Sequence, residues 1–125
     1  MTDADLTDLA MRYFTALDAR DPDALAETLS DDCVLTIETH GITHVGREAI
    51  RTLFATRWEG QLRAIHHDFT HTPSPSTGRI ASQFTVTYSG LDAPEPKSNA
   101  NVFSVRDGRI TKIAVYMAGA NSIRT

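Results

Sequence analysis

The segment Ile65-His66-His67-Asp68-Phe69-Thr70-His71 places three of the chain's five histidines beside a carboxylate. Imidazole titrates near neutrality, and a neighbouring carboxylate fixes its orientation, so this grouping has the chemistry of a proton shuttle. By period two, His67, Phe69 and His71 share one strand face and His66 and Asp68 the other. Together with His40 and His44 these histidines match no zinc spacing, so no metal is expected. Asn101 is a second signal. It stands in an alternating stretch with Phe103 and Val105, and an amide facing a core costs about 1–3 kcal/mol if unpaired, which favours a pocket wall. Tyr13, on the apolar face of a helix, is either a core aromatic or a hydroxyl donor. Glu38 and His40 fall on the polar side of their strand, a place for solvent or a subunit contact.

Composition bounds the partners. A chain of 125 residues is expected to form one domain, residues 1–125, with a single core. Its formal charge of −4 gives no electrostatic reason to expect nucleic acid. No apolar run approaches the roughly 20 residues that span a bilayer, and Met1-Thr2-Asp3-Ala4-Asp5 is acidic where a signal peptide is basic. The expected location is the cytoplasm, without membrane contact. Cys33 is alone, so it builds no disulfide framework and reads as a small buried apolar residue.

Periodicity supplies the elements. Leu6, Leu9, Ala10, Tyr13, Phe14 and Leu17 recur at three- and four-residue steps, the face of a helix that Thr2 or Asp3 can cap. Asp21-Pro22-Asp23 caps a short helix carrying Leu25 and Leu29 and stopping at Ser30-Asp31-Asp32. Cys33 to His40 alternates as a strand, and Glu48 to Trp58 forms a third helix burying Ile50, Leu53, Phe54 and Trp58. Leu62 to Thr72 and Ile80 to Ser89 are strands separated by a turn from Pro73 to Gly78. Asn99 to Val105 and Ile110 to Met117 form a hairpin through Asp107-Gly108, a strong signal for a two-residue turn. Arg106 and Arg109 beside it are expected in solvent. The pattern predicts an α+β fold, with three N-terminal helices packed on one face of a curved antiparallel sheet.

The stretch from Arg12 to Ala55, with Arg12-Tyr13, Ala16-Leu17, Asp31-Asp32, Gly46 and Ala49-Ile50-Arg51, resembles the ketosteroid isomerases and SnoaL-like cyclases of the NTF2-like superfamily. The C-terminal hairpin matches as well. The resemblance implies a cone-shaped NTF2-like (cystatin-like) fold around one apolar pocket. It implies that Tyr13 and Asn101 occupy the positions of the two donors that hold a developing enolate oxygen, an amide serving as a neutral donor in place of a protonated acid. The general base of the isomerases falls on Ile37. Glu38 is adjacent, but one residue along a regular strand turns the side chain to the opposite face unless a bulge intervenes. The resemblance places His67 close to the pocket, as a replacement base. Phe14, Leu17, Ile37, Phe54, Trp58, Phe69, His71, Phe84, Val86, Phe103 and Met117 are expected to line it. The acid that SnoaL-like cyclases carry after the final-strand tyrosine is Met117-Ala118 here.

Two functions follow. One is an enzyme that moves a proton on a small apolar carbonyl or enolisable molecule by isomerisation, cyclisation or dehydration, with no cofactor, using Tyr13, Asn101 and His67 or Glu38. The other is a noncatalytic ligand-binding or dimeric interaction domain. In either case the resemblance implies a homodimer through the outer sheet face carrying Thr85, Thr87, Ser104 and Tyr116.

Overall fold

The computed structural model describes residues 1–121 and 123. Helix α1 (Asp3–Asp18) begins in a capping box: Thr2 Oγ1 accepts from the Asp5 N–H at 3.1 Å, and the Asp5 carboxylate accepts from the Thr2 N–H at 2.9 Å. Its apolar stripe, Leu6, Leu9, Ala10, Tyr13, Phe14 and Leu17, is buried as the spacing predicts. Helix α2 (Pro22–Thr28) is capped by Asp21, which accepts from the Ala24 N–H at 3.0 Å. Strand β1 (Leu29–Ile37) follows without a loop and ends in a single 3₁₀ turn, Glu38–His40. A short strand β2 (Ile42–Val45) leads into helix α3 (Arg47–Trp58). Strands β3 (Arg63–Ser74), β4 (Arg79–Ser89), β5 (Lys97–Arg106) and β6 (Arg109–Tyr116) complete the chain.

The six strands form one sheet in the order β2-β1-β6-β5-β4-β3. It is mixed rather than wholly antiparallel, because β1 runs parallel to β6. These two strands are joined only through β2, α3 and the β3–β6 meander, so no tight turn imposes an antiparallel sense. Strand β2 escaped the sequence reading because its ends, Ile42 and Val45, are exposed and leave no burial period. Pro73 extends β3 instead of ending it. β3 is the sheet's edge strand, the place in a sheet that tolerates a residue without an N–H donor. The Asp107-Gly108 turn has φ of +54° and +76°, as its residue pair requires.

One irregularity governs the site. On β3 the pairing with β4 runs from His67 opposite Thr85 to Thr70 opposite Gln83, three steps against two. The inserted residue lies at Asp68, whose φ is +56°. This bulge reverses the alternation beyond it, so Ala64 and His66 share the inner face with Phe69 and His71. The core lies on that face, where Phe14 of α1 meets the rings of Phe69 and Phe84, both at 4.9 Å, and Phe103 at 5.8 Å. Among the described residues no helix is long and apolar enough to cross a membrane.

Candidate functional site

A cavity of about 60 Å³, several times the need of one water, lies between α1, the end of α3 and the inner sheet face. Tyr13 and Leu17 come from one stripe of α1 and Arg20 from just past its end, and Phe54, Arg57 and Trp58 come from the C-terminal end of α3. The sheet contributes Ala64 and His66 from β3, Phe84, Val86 and Tyr88 from β4, Asn99 and Asn101 from β5, and Val115 from β6. Leu62 and Ile123 complete the lining.

Its inner end carries two polar groups. Tyr13, only 1% exposed, packs edge-on against Phe14 and Phe103 at 5.3 and 5.2 Å. Its hydroxyl has no hydrogen-bond partner among the described residues. Burial, reinforced by Cys33, pushes the phenol far above its usual range, so it stays a neutral donor. Asn101 is 4% exposed, and its Oδ1 is buried without a partner among the described residues. Asn99, two residues earlier on the same face, is fixed by the Ala118 N–H, which donates to its Oδ1 at 2.9 Å. The Cys33 thiol is pushed up to about 12, first by burial and then by Asp32, and takes no part in the lining.

The side wall holds an imidazole with a carboxylate behind it. His66 Nδ1 lies 2.6 Å from Asp18 Oδ1, and the His66 backbone N–H donates to both Asp18 oxygens at 3.2 Å. Asp18 is the last residue of α1, so the helix end grips one residue of β3 by main chain and ring together. The His66 ring also packs against Phe14 at 5.3 Å and Phe84 at 5.2 Å. A carboxylate at Nδ1 selects the tautomer with the proton on that nitrogen and leaves Nε2 as an acceptor. Among the described residues nothing bonds to Nε2.

Arginines frame the other end. Arg20, with φ of +53°, donates to the Trp58 carbonyl at 2.8 Å and to the Leu62 carbonyl at 2.6 Å, tying α1 to the end of α3. Arg57 is half-buried, and its cation is disfavoured by burial and by the charge of Arg20, against a favourable contribution from Tyr88.

Of the residues expected at the site, Tyr13, Leu17, Phe54, Trp58, Phe84, Val86 and Asn101 line this cavity. His67 does not. The Asp68 bulge separates it from Phe69 and His71, and it bonds on the opposite side to Thr87 Oγ1 at 2.6 Å and Asp68 Oδ2 at 3.1 Å. Glu38 is exposed in the turn that follows Ile37, so the strand ends before a bulge could turn it inward, and Ile37 itself is core. His71 lies outside the lining, its Nδ1 on Ser82 Oγ at 2.8 Å and its ring stacked on Phe69. Phe14, Phe69, Phe103 and Met117 pack behind the lining, because the aromatic cluster fills that part of the cone. Residues not singled out beforehand are Asp18, Arg20, Arg57, Tyr88 and Asn99. Asn99 was readable as the residue two before Asn101, and Arg57 as a cation three residues from Phe54 on a buried helix stripe. Asp18 gave no local signal, because its partner lies 48 residues away.

Helices closing an apolar cavity against a strongly curved sheet define the NTF2-like, or cystatin-like, class of α+β folds. Within that class the chain belongs to the SnoaL-like domain family, whose model matches residues 10–113. A protein from Silicibacter sp. TM1040, provisionally named a polyketide cyclase, is 25% identical with a TM-score of 0.79, over 98% of this chain and 96% of that one. An LEH-like epoxide hydrolase from M. tuberculosis is 20% identical with a TM-score of 0.76, over 93% and 84%. An NTF2-like protein of unknown function from Cytophaga hutchinsonii is 13% identical with a TM-score of 0.69, over 90% and 89%. No curated protein matches the chain by sequence.

Proposed function

We propose that this chain is an enzyme moving a proton on a small, largely apolar carbonyl or enolisable molecule. The observation that carries the reading is the Asn101 side chain, buried with its Oδ1 unpartnered among the described residues, in the same cavity as an imidazole held by Asp18. A buried amide oxygen without a partner costs about 1–3 kcal/mol; a guest hydroxyl removes that cost by donating to it, and the amide turned end for end presents its N–H to a guest oxygen. In this reading Tyr13 O–H and the Asn101 amide N–H donate to the substrate oxygen. His66 Nε2 takes a proton from the adjacent carbon, and the charge moves onto the oxygen between the two donors. The imidazolium, stabilised by Asp18, returns the proton to another carbon for isomerisation, or to a leaving hydroxyl for dehydration. The neighbours named for cyclase and epoxide hydrolase chemistry are compatible with a small-molecule enzyme on this scaffold, and one scaffold hosts many reactions.

The test is exchange of α-deuterium from a panel of enolisable aryl ketones, followed by NMR. Exchange that falls by roughly 10²–10³ in Asn101→Ala, with the fold intact by circular dichroism, supports the reading. Ketones that bind and retain their deuterium favour the noncatalytic alternative, which the isoleucine at position 37 recommends. The same reading includes a homodimer through the outer sheet face, where Thr85, Thr87 and Ser104 are half-buried and Tyr116 is exposed.

A further inference from the structure

Two guanidinium groups line one end of the cavity in a chain whose net charge is −4. Among the described residues the arginine–carboxylate pairs are Arg47 with Asp31 and Arg51 with Asp23, both away from the cavity. Neither Arg20 nor Arg57 has a carboxylate partner there. Arg20 satisfies two of its five N–H donors with neutral main-chain carbonyls, which leave its charge in place. Asp18, behind the His66 wall, is already engaged by both the ring and the main chain of His66. Half-burying two like charges side by side without a carboxylate is unfavourable in the free protein: burial weighs most against the Arg57 cation, Tyr88 offsets part of this, and Arg20 adds to it.

A solvated surface role does not explain this arrangement. Arg57 rises from the buried stripe of α3, between Phe54 and Trp58, both of which also line the cavity. Arg20 is held by bonds to Trp58 and Leu62, so its position is fixed without a ligand. Tyr13 lies within α1, whereas Arg20 lies past its end at Asp18. The lining therefore has an oxygen-holding side at Tyr13 and a cationic side past the end of α1, with Leu17 between them along the chain.

We infer that the substrate is an apolar acid, its carboxylate held by Arg57 with Arg20 beside it and its carbonyl or enol oxygen directed toward Tyr13 and Asn101. A planar carboxylate matches the guanidinium fork in geometry and supplies the missing charge. The orientation of the guest rests on the proton-transfer reading above, whereas the anion subsite stands on the arginines alone.

The two claims separate in one binding experiment with 2-naphthol and 6-hydroxy-2-naphthoate, which share an aromatic hydroxyl and differ by a carboxylate. Calorimetry is expected to show the naphthoate binding roughly tenfold or more tighter. Arg57→Gln abolishes that advantage and leaves 2-naphthol within about twofold, and Arg57→Lys restores part of it. Should Arg57→Gln fail to fold, the wild-type advantage still shrinks when salt rises from about 20 to 500 mM, because an ion pair at an open cavity end is screened. Equal affinities for the two probes, or an advantage indifferent to both Arg57 and salt, overturn the inference. An Arg57-dependent advantage, with neither probe sensitive to Tyr13→Phe or Asn101→Ala, leaves the anion subsite standing and overturns the oxygen-holding assignment instead.

Discussion

At the scale of single residues, His66 and Asp18 account for more of the proposed chemistry than any other pair. An imidazole whose Nδ1 is 2.6 Å from a carboxylate and whose Nε2 is free has one orientation and one acceptor nitrogen. His66→Gln is expected to lower turnover of an enolisable substrate by roughly 10²–10⁴ with the fold retained. Asp18→Asn should lower it less, because the amide still accepts from Nδ1 but no longer stabilises the imidazolium. Steady-state kinetics on both variants checks the order, and an Asp18→Asn loss exceeding that of His66→Gln would refute it. His71 supplies the pH prediction. Burial holds its basicity below the usual histidine value, so the unfolded chain binds more protons as pH falls through about 6.5. Its contribution to stability is complete above that pH and is lost as pH falls toward the lower folded value. Thermal melts from pH 7.5 to 5 should show a decline that His71→Gln reduces.

The element that decides the site is the β3 bulge. Asp68 adopts a left-handed conformation, at φ +56°, that costs an ordinary side chain roughly 1–2 kcal/mol, and aspartate is among the few residues that tolerate it. Asp68→Gly should therefore fold with equal or higher Tm. Asp68→Val should lose roughly 1–2 kcal/mol, since a β-branched side chain fits that region poorly. Removing residue 68 is a sharper change: it takes out the inserted position and restores a strict two-residue period in which His66, Phe69 and His71 all stay on the inner face. Phe69 then keeps its side of the sheet against Phe14 and Phe84, so the deletion variant is expected to fold, and a collapse of the melt would show that the bulge itself is needed. Circular dichroism melts of the three variants test the series.

For the molecule as a whole, the cone is built so that α1 touches almost everything the site needs. It contributes Tyr13 and Leu17 to the lining, Phe14 to the aromatic cluster and Asp18 to the dyad, and Arg20 follows two residues beyond its end. The opposite sheet face is left without a helix. Homodimer formation through that face is expected to give twice the 13.7 kDa chain mass in size-exclusion chromatography with light scattering. Tyr116→Lys, which puts a charge on an exposed aromatic of that face, should shift the mass toward the monomer. A wild-type mass equal to the monomer would sink this expectation.

The chain order fixed the helices, the α+β class and the resemblance to the SnoaL-like family, because helix caps, apolar stripes and the Asp107-Gly108 turn are local signals. Thr2, Asp21 and the run from Leu6 to Leu17 act within a few residues of themselves, so the sequence alone carried them. Tyr13 and Asn101 were also visible, as polar groups on otherwise apolar faces. The faces of the β3 histidines were not. A bulge is set by pairing with β4 and carries no local mark beyond one aspartate, so His66 replaced His67 only when the sheet was assembled. The same holds for Asp18 on His66 and for Arg20 beside Arg57. These are meetings between elements tens of residues apart in the chain, and only tertiary packing brings them together.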